Sequence, residues 1–487
     1  MYFYCALAAG WRFSNSLLSA IPRRCLLYYR DTNMTKALGI FILQLLFVTT
    51  LTFGQSTDKE FLKTVSEKQA NDDIDSLCKW VEEIHPNMFE NTSKSNFQKL
   101  VSNIKEKIYK PLTVRELYKL ISPLLTSLKD AHTGLHSPYF VTEEKSNLFP
   151  LLINLSANQK ELIVGTAVDK SFLNQVPIGS TIKSINGISS SKIIEDISKL
   201  ISYETKVFFA TRFKNLFSSL LYCQYDFQKT FTVEYLHNKK LKMTKLVNNT
   251  FKIISKNFKN EDYSLSFRKK YAFLTINSFG VSNEEDYFSF LTQSFQKIKE
   301  NNIKKLVIDI RYNDGGNSVL GDSLLSFISS VPFKQFDSTF YKHSRIQKKL
   351  FNKIYKNDTL FIKSLNNFED GFIEETNGGN LIVPNKIDKQ FKGKIFLLVS
   401  NFTFSSGANF AWAFKNYKLG TVVGQETGGI GICFGDGVPF LLPNSKISGQ
   451  SASQKFKSIG ASDNNFNGLI PDIKTIEKEE LKVIQAP

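Results

Sequence analysis

Two adjacent hydroxyl side chains, Ser405 and Ser406, lie where the sequence predicts a change from strand to helix. Ile395 to Val399 is a short apolar run of the kind that forms a buried strand, and Gly407 to Tyr417 carries apolar residues along one helical face. A serine at such a junction stands above the sheet, beside the free backbone N–H groups of the first helical turn, and can act as a nucleophile. The alternative interpretation is that Thr403, Ser405 and Ser406 only cap the helix.

A second strand-to-helix junction contains two paired glycines, Gly315 and Gly316. It follows the apolar run Lys304 to Ile310 and precedes a predicted helix from Val319 to Ile328. Glycines allow the backbone to approach a ligand closely, and their N–H groups can bind a phosphate or stabilise an oxyanion. The alternative is an ordinary glycine turn. If the two strands are neighbours, the glycines and Ser405 meet at the carboxyl ends of the strands, where open α/β sheets place their sites.

A serine nucleophile needs a base, and His132 is the candidate. It lies in the turn S-L-K-D-A-H-T-G-L, two residues after Asp130, whose carboxylate could orient the imidazole ring. The chain has five histidines in all, so the candidates for a histidine base are few. The alternative interpretation is a histidine that is simply exposed on a turn.

Composition argues against several classes of function. The 487 residues, 42% hydrophobic and 22% charged, are enough for two or three globular domains. The net charge is +17, but the basic residues are spread along the chain without a basic–aromatic repeat, so nucleic-acid binding is not predicted. Cys78, Cys223 and Cys433 are far apart and form no metal-like pair, which predicts buried free thiols, no metal and no organic cofactor.

Residues 1–54 are predicted to be a leader. Met34 starts a short basic segment, an apolar run follows from Ala37 to Phe53, and the small residue Gly54 fits a signal-peptidase site. We therefore predict cleavage after Gly54 and an exported protein, periplasmic or extracellular, with no stable membrane span. The alternative is a permanent anchor, for which the run is slightly short. Since residues 1–33 precede a complete signal peptide, Met34 is the predicted start.

Three regions follow the leader. Residues 56–146 have the periodicity of amphipathic helices and carry His132, and residues 147–250 are rich in short strands. From residue 260 to 487, strands and helices alternate, which predicts an α/β region with a partly parallel sheet. Within it, Pro332 to Gly378 is a polar and aromatic insertion whose pattern favours neither helix nor strand.

Five sequence blocks can be compared with known protein families. They are D-A-H-T at Asp130 to Thr133, V-P-I-G-S-T-I-K-S-I-N-G at Val176 to Gly187, V-I-D-I-R-Y-N-D-G-G at Val307 to Gly316, T-F-S-S-G-A-N-F with V-V-G-Q-E-T-G-G between Thr403 and Gly429, and G-L-I-P-D at Gly468 to Asp472. Taken together, these blocks resemble the C-terminal processing, or tail-specific, serine proteases, on the branch that includes the tricorn core protease and the retinoid-binding protein of the eye. The resemblance covers most of the chain from Ile74 to Ile473, and its most specific blocks are the third and fourth, which resemble the family's oxyanion loop and nucleophile.

The resemblance implies both a fold and a set of roles. The fold would be α/β, with a crotonase-like mixed sheet and flanking helices in the protease core, a PDZ-like β module and an N-terminal helical region. Ser405 would be the nucleophile and His132 its base. The N–H groups of Ser406 and of Gly315 or Gly316 would form the oxyanion hole, in which each donor contributes about 3 kcal/mol.

The chain departs from the family pattern at two places. Family members with a serine–lysine dyad carry lysine just after the T-x-G block, whereas this chain has Ile430 there and no lysine between Lys418 and Lys446. That difference favours His132 as the base. The acidic residue that relatives carry before the closing motif is replaced by asparagines, so Asp130 and Glu426 become the candidates that orient the base. The asparagines are Asn464, Asn465 and Asn467.

These observations predict a secreted or periplasmic serine peptidase that hydrolyses peptides or unfolded C-terminal tails of proteins, without a metal or another cofactor. A PDZ-like module would bind an extended chain by strand addition and present its C-terminus to Ser405. The alternative is a non-catalytic peptide- or lipid-binding protein on the same fold, because fold alone does not determine function. Nothing in the sequence indicates an oligomeric state.

Overall fold

Three large β-sheets and the helices packed around them form the protein. The computed structural model describes residues 62–137, 148–248, 261–268, 271–385, 390–462, 466–476 and 479–485. The predicted leader lies outside the described residues, as do Asn464 and Asn465. The predicted α/β class is confirmed, because helices accompany the sheets throughout this part of the chain. None of the described helices has both the length and the apolar content needed to cross a membrane.

The N-terminal region is helical, as its periodicity predicts. Reciprocal hydrogen bonds between Ser66 and Gln69 start its first helix, and Thr113 and Glu116 start its third helix in the same way. These capping pairs satisfy backbone N–H groups that the first helical turn leaves free. The helices are α1 (Glu67–Ile84), α2 (Lys94–Lys105) and α3 (Val114–Thr126), and the paired short strands are β1 (Thr64–Val65) and β2 (Leu112–Thr113).

The next region is an antiparallel sheet with the order β4-β5-β6-β8-β9, in which β7 also pairs with β6. A turn at Asn186 and Gly187 joins β6 to β7, and both residues have the positive φ angles, 49° and 80°, that such a turn requires. The strands are β4 (Leu151–Leu155), β5 (Leu162–Ala167), β6 (Thr181–Ile185), β7 (Ile188–Ser189), β8 (Thr230–His237) and β9 (Lys240–Val247), preceded by β3 (Gly134–Leu135) of another sheet. The helices are α4 (Ser171–Gln175), α5 (Ser190–Ser198) and α6 (Lys206–Tyr225).

The helical region and the strand-rich region share one hydrophobic core. Ile121 of α3, Ile153 of β4 and Phe213 of α6 are all fully buried in it. Phe440 and Ile447, which come from a hairpin much later in the chain, are buried in the same core. The division predicted near residue 146 is therefore not a division between two cores.

The third region contains a mixed sheet with the order β10-β11-β12-β15-β16-β19. Strand β10 runs antiparallel to β11, and the other neighbouring pairs are parallel. The strands that lead to the two glycines and to Ser405 are direct neighbours, so both junctions lie at the same edge of this sheet. The strands of the region are β10 (Tyr263–Arg268), β11 (Tyr271–Ile276), β12 (Lys305–Asp309), β13 (Phe336–Lys342), β14 (Ile373–Thr376), β15 (Lys394–Val399), β16 (Thr421–Gly424), β17 (Ile432–Leu441), β18 (Ser448–Ser458) and β19 (Ile473–Lys474). The helices are α7 (Glu284–Glu300), α8 (Ser318–Ile328), α9 (Arg345–Ile354), α10 (Thr359–Asn366), α11 (Ser406–Asn416) and α12 (Glu480–Gln485).

The predicted insertion, Pro332 to Gly378, contributes to a further antiparallel sheet. It supplies β13 and β14, with α9 and α10 between them, and the sheet order is β14-β13-β18-β17. Strand β3, which follows His132 directly in the chain, pairs with β18. This sheet therefore attaches the histidine turn to the C-terminal half of the protein.

The three cysteines that follow the leader carry free thiols, as the sequence predicts. Cys223 and Cys433 are buried, whereas Cys78 is half-buried. Burial and the charge of Asp75 raise the pKa of the Cys78 thiol to about 11, so it is protonated and unreactive at neutral pH.

Candidate active site

Ser405 lies at a sharp turn between β15 and α11. Its backbone angles, φ 48° and ψ −129°, belong to a region that residues with a Cβ rarely adopt. Such a conformation costs roughly 1–3 kcal/mol and persists only where the surrounding structure enforces it. The segment is the strand–turn–helix junction that its sequence predicts, and the turn is strained at the serine itself.

The three hydroxyl groups of this turn have different partners. Thr403 Oγ1 donates a hydrogen bond to the carbonyl of Ile310 at 2.9 Å, and Ser406 Oγ donates to the carbonyl of Gly316 at 2.6 Å. Ser405 is the N-cap residue of α11, but its side chain makes no capping hydrogen bond. Helix capping therefore accounts for none of the Ser405 hydroxyl's contacts.

The Ser405 hydroxyl faces His132 instead. Its Oγ lies 3.2 Å from Nε2 of His132, which is hydrogen-bonding distance. The His132 side chain is 3% exposed, and its ring stacks on Phe404 with 4.8 Å between the ring centroids. Phe404 in turn stacks on Phe208 of α6 at 4.0 Å, and Gln450 of β18 donates a hydrogen bond to the His132 carbonyl at 3.0 Å. The histidine turn is thus held by packing on one side and by a strand on the other.

Asp130 holds the backbone of the histidine turn. Its Oδ1 accepts the backbone N–H of His132 at 2.8 Å and lies 4.0 Å from Nδ1 of the ring. Its Oδ2 accepts a hydrogen bond from Nε2 of His85 at 3.3 Å, because Nδ1 of His85 already accepts the N–H of Asn87. Burial acts to raise the pKa of Asp130, but its interactions with His85, His132 and Thr133, above all the hydrogen bond from His85, outweigh burial and lower the pKa. The carboxylate is therefore ionised, and the sequence analysis missed its partner His85.

The glycine turn offers one free N–H beside Ser405. The N–H of Gly315 donates to Asn313 Oδ1 at 3.0 Å, whereas that of Gly316 has no acceptor in the described part of the chain. The N–H of Ser406, at the start of α11, is also without an acceptor there. Gly315 has a φ of 111°, and a Cβ at this position would lie 2.6 Å from the Cβ of Ser405. Gly316 and Ser406 are therefore the two donors able to bind an oxyanion, with Gly315 packed against the serine.

Two other residues singled out by the sequence lie away from His132. Glu426 Oε1 accepts the N–H of Gly468 at 3.0 Å, and no hydrogen bond or ion pair between described residues joins Glu426 to His132. Glu426 is therefore not the orienting carboxylate, because it anchors the closing motif. Ile430 forms an isolated β-bridge with Gly468, and among the described residues that line the cavity at Ser405 there is no lysine. The histidine is the base that this geometry offers.

Glu204 is an acidic residue at the site that sequence reasoning missed. It lies in the turn before α6, and ligand atoms of Asp130, His132 and Glu204 all lie within 4.8 Å of one another. Both Glu204 carboxylate oxygens and Nδ1 of His132 are buried without a hydrogen bond of ordinary geometry to any described residue. Burial and the negative charge of Asp130 raise the pKa of Glu204 well above its usual range. Three such ligands could hold a cation, or Glu204 could accept the Nδ1–H of His132.

The imidazole of His132 is suited to accept a proton near neutral pH. Burial lowers its pKa below the usual 6.5, and the positive charge of Arg212 acts in the same direction, while Asp130 opposes them. The ring is therefore neutral at pH 7. With Nε2 next to the Ser405 hydroxyl, the proton of the neutral ring belongs on Nδ1.

A cavity that opens to solvent extends from the serine. His132, Gly316 and Ser406 line one side of it together with Ser405. The β17–β18 hairpin forms the opposite wall. The residues that the hairpin contributes include Cys433, Phe434, Asp436 and Phe456.

A serine–histidine pair, two free N–H groups and an adjoining cavity are the parts that a serine hydrolase needs. Residues 270–475 match the sequence model of peptidase family S41. The matched residues contain the glycine turn, the serine and the closing motif, so this part of the chain is similar to family S41 peptidases. His132 and Glu204 lie outside the matched residues.

Known proteins resemble the chain over different lengths. A protein of Sulfurisphaera tokodaii, whose name assigns it as a tricorn-like protease C-terminal subunit, is 30% identical over 150 residues, which are 30% of this chain and 17% of that protein. The crystal structure of mature CPAF has a TM-score of 0.60 at 12% identity and covers 84% of this chain and 92% of its own. Mature CPAF complexed with lactacystin has a TM-score of 0.59 at 12% identity, with 84% and 94% covered. At this identity the likeness shows the shared fold alone, and it extends well beyond the residues that match the family model.

Proposed function

We propose that the protein is a serine peptidase that hydrolyses peptide bonds in peptides or in unfolded C-terminal tails of proteins, with Ser405 as its nucleophile. The observation that carries this proposal is the 3.2 Å contact between Ser405 Oγ and His132 Nε2 at a strained turn. Strain of this kind clusters at functional sites. The match of the residues around Ser405 to the family S41 model supports the same function.

The proposed reaction begins when Ser405 Oγ attacks the carbonyl carbon of the substrate and its proton passes to Nε2 of His132. The carbonyl oxygen becomes an oxyanion, which the N–H groups of Gly316 and Ser406 stabilise. Protonated His132 then gives its proton to the leaving amine, and an acyl–Ser405 ester remains. Water hydrolyses this ester with the same histidine as base, which restores the serine.

We propose Glu204 as the residue that positions His132. While Nε2 accepts the serine proton, Nδ1–H needs an acceptor, and Nδ1 and the Glu204 carboxylate are two buried groups with unmet hydrogen-bonding capacity. Because their ligand atoms lie within 4.8 Å, a small side-chain rotation joins them. Asp130 holds the turn through the His132 N–H, and its charge, 4.0 Å from Nδ1, stabilises the imidazolium formed in the reaction.

The substrate class and the finer architecture belong to the same proposal. We propose that the mixed sheet with its flanking helices is crotonase-like, and that the sheet of β4 to β9 is a PDZ-like module. A PDZ-like module binds an extended chain by adding it to a sheet edge, which suits delivery of an unfolded tail. An unfolded tail peptide whose C-terminal carboxylate is blocked should then be cleaved more slowly than the same peptide with a free carboxylate.

We further propose that the protein is exported and that its leader is removed after Gly54. The support is the sequence pattern of a short basic start, an apolar run from Ala37 to Phe53 and a small residue at the end. N-terminal sequencing of the exported protein should begin at or near Gln55. Recovery of exported protein that begins at Met1 or Met34 would overturn this part of the proposal.

A fluorophosphonate probe tests the proposed activity directly. The probe reacts with an activated serine, so the wild-type protein should be labelled and peptide mapping should find the label on Ser405. Ser405→Ala should abolish labelling. Ser406→Ala removes the neighbouring hydroxyl but keeps the Ser405 nucleophile, so this variant should still be labelled. Folded protein that is not labelled and does not hydrolyse any peptide would favour a non-catalytic peptide- or lipid-binding protein on the same fold.

A further inference from the structure

We propose that the cavity beside Ser405 binds a basic side chain, arginine or lysine, of the substrate residue whose carbonyl is attacked, and that Asp436 recognises it. The inference rests on the proposed peptidase function and names a substrate class for it. It starts from a carboxylate in the wall of the cavity that has no partner in the described part of the protein.

Asp436 occupies an irregular position in the β17–β18 hairpin. Gly435 pairs with Gln454 and Gly437 pairs with Ala452, but the ladder is interrupted at Asp436 between them. Its φ angle is 53°, a conformation that aspartate tolerates better than most residues but that regular strands exclude. Gly435, Asp436 and Gly437 all line the cavity, and Asp436 is the one of these three residues that has a side chain.

Asp436 is half-buried, and one oxygen of its carboxylate is buried without compensation. Its Oδ2 is inaccessible and has no hydrogen-bond partner, and no ion pair to Asp436 is formed by any described residue. Burial raises its pKa to about 7, which reflects the cost of an unpaired charge in this place. Asp322 has the same raised pKa, about 7, but accepts a hydrogen bond from Gln335 at 2.8 Å. A cationic ligand would donate a hydrogen bond to the Asp436 carboxylate, as Gln335 does to the carboxylate of Asp322.

The rest of the cavity suits the stem of a long basic side chain. Phe336, Phe434 and Phe456 line it, so methylene groups can be buried against aromatic rings while the cationic end reaches Asp436. The same cavity is lined by Ser405 and His132, so a side chain held there belongs to the residue at the scissile bond. An aspartate in this position selects basic residues in trypsin.

The first experiment compares fluorogenic peptides that differ only in the residue before the scissile bond. Wild-type protein should cleave the arginine or lysine peptide at least about tenfold more efficiently than its norleucine isostere. Asp436→Asn should remove that preference through a higher KM for the basic peptide, and Asp436→Glu should restore part of it. Asp322→Asn is the matched control, because it removes a buried acid with the same raised pKa away from the cavity, and it should keep the preference.

The second experiment needs no variant and separates the two possible failures. Phosphonate probes with a basic or a norleucine side chain are reacted with the wild-type protein, alongside a small fluorophosphonate without a side chain. Faster labelling by the basic probe supports the inference. Labelling of Ser405 by the small probe with no advantage for the basic one overturns the inference and leaves the peptidase proposal standing. No labelling by any probe overturns the proposed function, and the inference with it.

Discussion

Ser405 and His132 are hydrogen-bonded to each other, yet each is anchored in a different hydrophobic core. Ser405 starts α11, whose Phe410 is fully buried with the mixed sheet. His132 follows α3, whose Ile121 is fully buried with the N-terminal helices and the β4–β9 sheet. The proposed reaction therefore depends on contacts that hold the two cores together around the site, among them the pairing of β3 with β18.

The serine and the histidine should behave as one unit. Ser405→Ala and His132→Ala should each lower kcat by at least about 10⁴-fold, and the double variant should be little worse than either, because neither residue works without the other. His136→Ala is the matched control, since it removes a second mostly buried imidazole four residues away. Steady-state kinetics with a fluorogenic peptide measures the effect, and single variants whose losses multiply would contradict the pair.

Removal of Glu204 should reduce turnover without weakening substrate binding. Glu204→Ala leaves Nδ1–H of His132 without its acceptor, so kcat should fall at least about 100-fold while KM stays within about threefold. Glu204→Gln keeps an acceptor oxygen, so its kcat should lie between those of the wild type and Glu204→Ala.

Proton NMR supplies a readout that a merely structural role would not change. With histidine labelled by ¹⁵N, the wild type should show a downfield N–H signal of His132 that Glu204→Ala removes. Asp322→Asn controls for the loss of a buried acid. Full activity and an unchanged N–H signal in Glu204→Ala would show that Glu204 does not position His132. A stoichiometric Zn²⁺ ion that the wild type binds and the variant loses would also contradict this role.

The glycine turn should tolerate no side chain at Gly315. A Cβ there would lie 2.6 Å from the Cβ of Ser405, so Gly315→Ala should displace the serine and lower kcat at least about 100-fold. Gly371→Ala is the control, because Gly371 also has a positive φ, 89°, but an added Cβ would contact nothing within 4 Å. The control should cost some stability and no activity. Normal turnover in folded Gly315→Ala would remove this loop from the site.

Activity should rise with pH along a limb centred below 6.5. The base must be neutral, its neutral fraction increases with pH, and burial together with Arg212 lowers the pKa of His132, so the limb moves to lower pH. Arg212→Met removes the positive charge, so it should move the midpoint of this limb back to higher pH. A norleucine peptide should be used for kcat/KM, because it does not depend on Asp436, whose pKa is about 7. A midpoint above 6.5 in the wild type would contradict the assignment of His132 as the base.

Stability should decline as pH rises from about 4 to above 7. The pKa values of Asp322 and Asp436 are raised by burial to about 7 in the folded protein, so folding favours their protonated forms. Their stabilising contribution is complete below the unfolded pKa, near 3.8, and is lost as pH passes about 7. Asp322→Asn should flatten the decline in the free energy of unfolding measured by urea titration. If the free energy of unfolding of Asp322→Asn falls as steeply with pH as that of the wild type, the raised pKa of Asp322 is contradicted.

Segments with strong local signals are predicted from the sequence almost residue by residue. The helix predicted from Val319 to Ile328 is observed at Ser318–Ile328, where the side chain of Asn317 caps its first turn. The two junctions at Gly315 and Ser405 are also predicted, since each places an apolar run directly before a turn and a helix. Parallel pairing of their strands then follows from the alternation of strands and helices.

Two large elements around the site are not predicted, for opposite reasons. Helix Lys206–Tyr225 carries phenylalanines and leucines on almost every face, so it lacks the one-sided period that identifies an amphipathic helix. Strand Ser448–Ser458 consists mostly of serine, glutamine and lysine and lacks apolar alternation, but it is largely buried because β13 and β17 flank it. In both cases the tertiary environment determines the structure.

The residues that the sequence misses at the site are those placed by tertiary contacts. His85 and Glu204 come from turns at helix ends and carry no motif, and Asp436 lies in a strand that packs against distant helices. Their proximity to His132 or Ser405 follows from how three sheets pack, which no spacing along the chain encodes. Asn467 is described and exposed, so it offers no buried replacement for the acid that relatives carry before the closing motif.

The division of the serine and the histidine between two cores ties the proposed chemistry to the complete fold. A copy in which either core is unfolded holds a Ser405 hydroxyl without the imidazole that would accept its proton. Under the proposed mechanism such a copy is inactive, and hydrolysis begins only after both cores have folded and packed together.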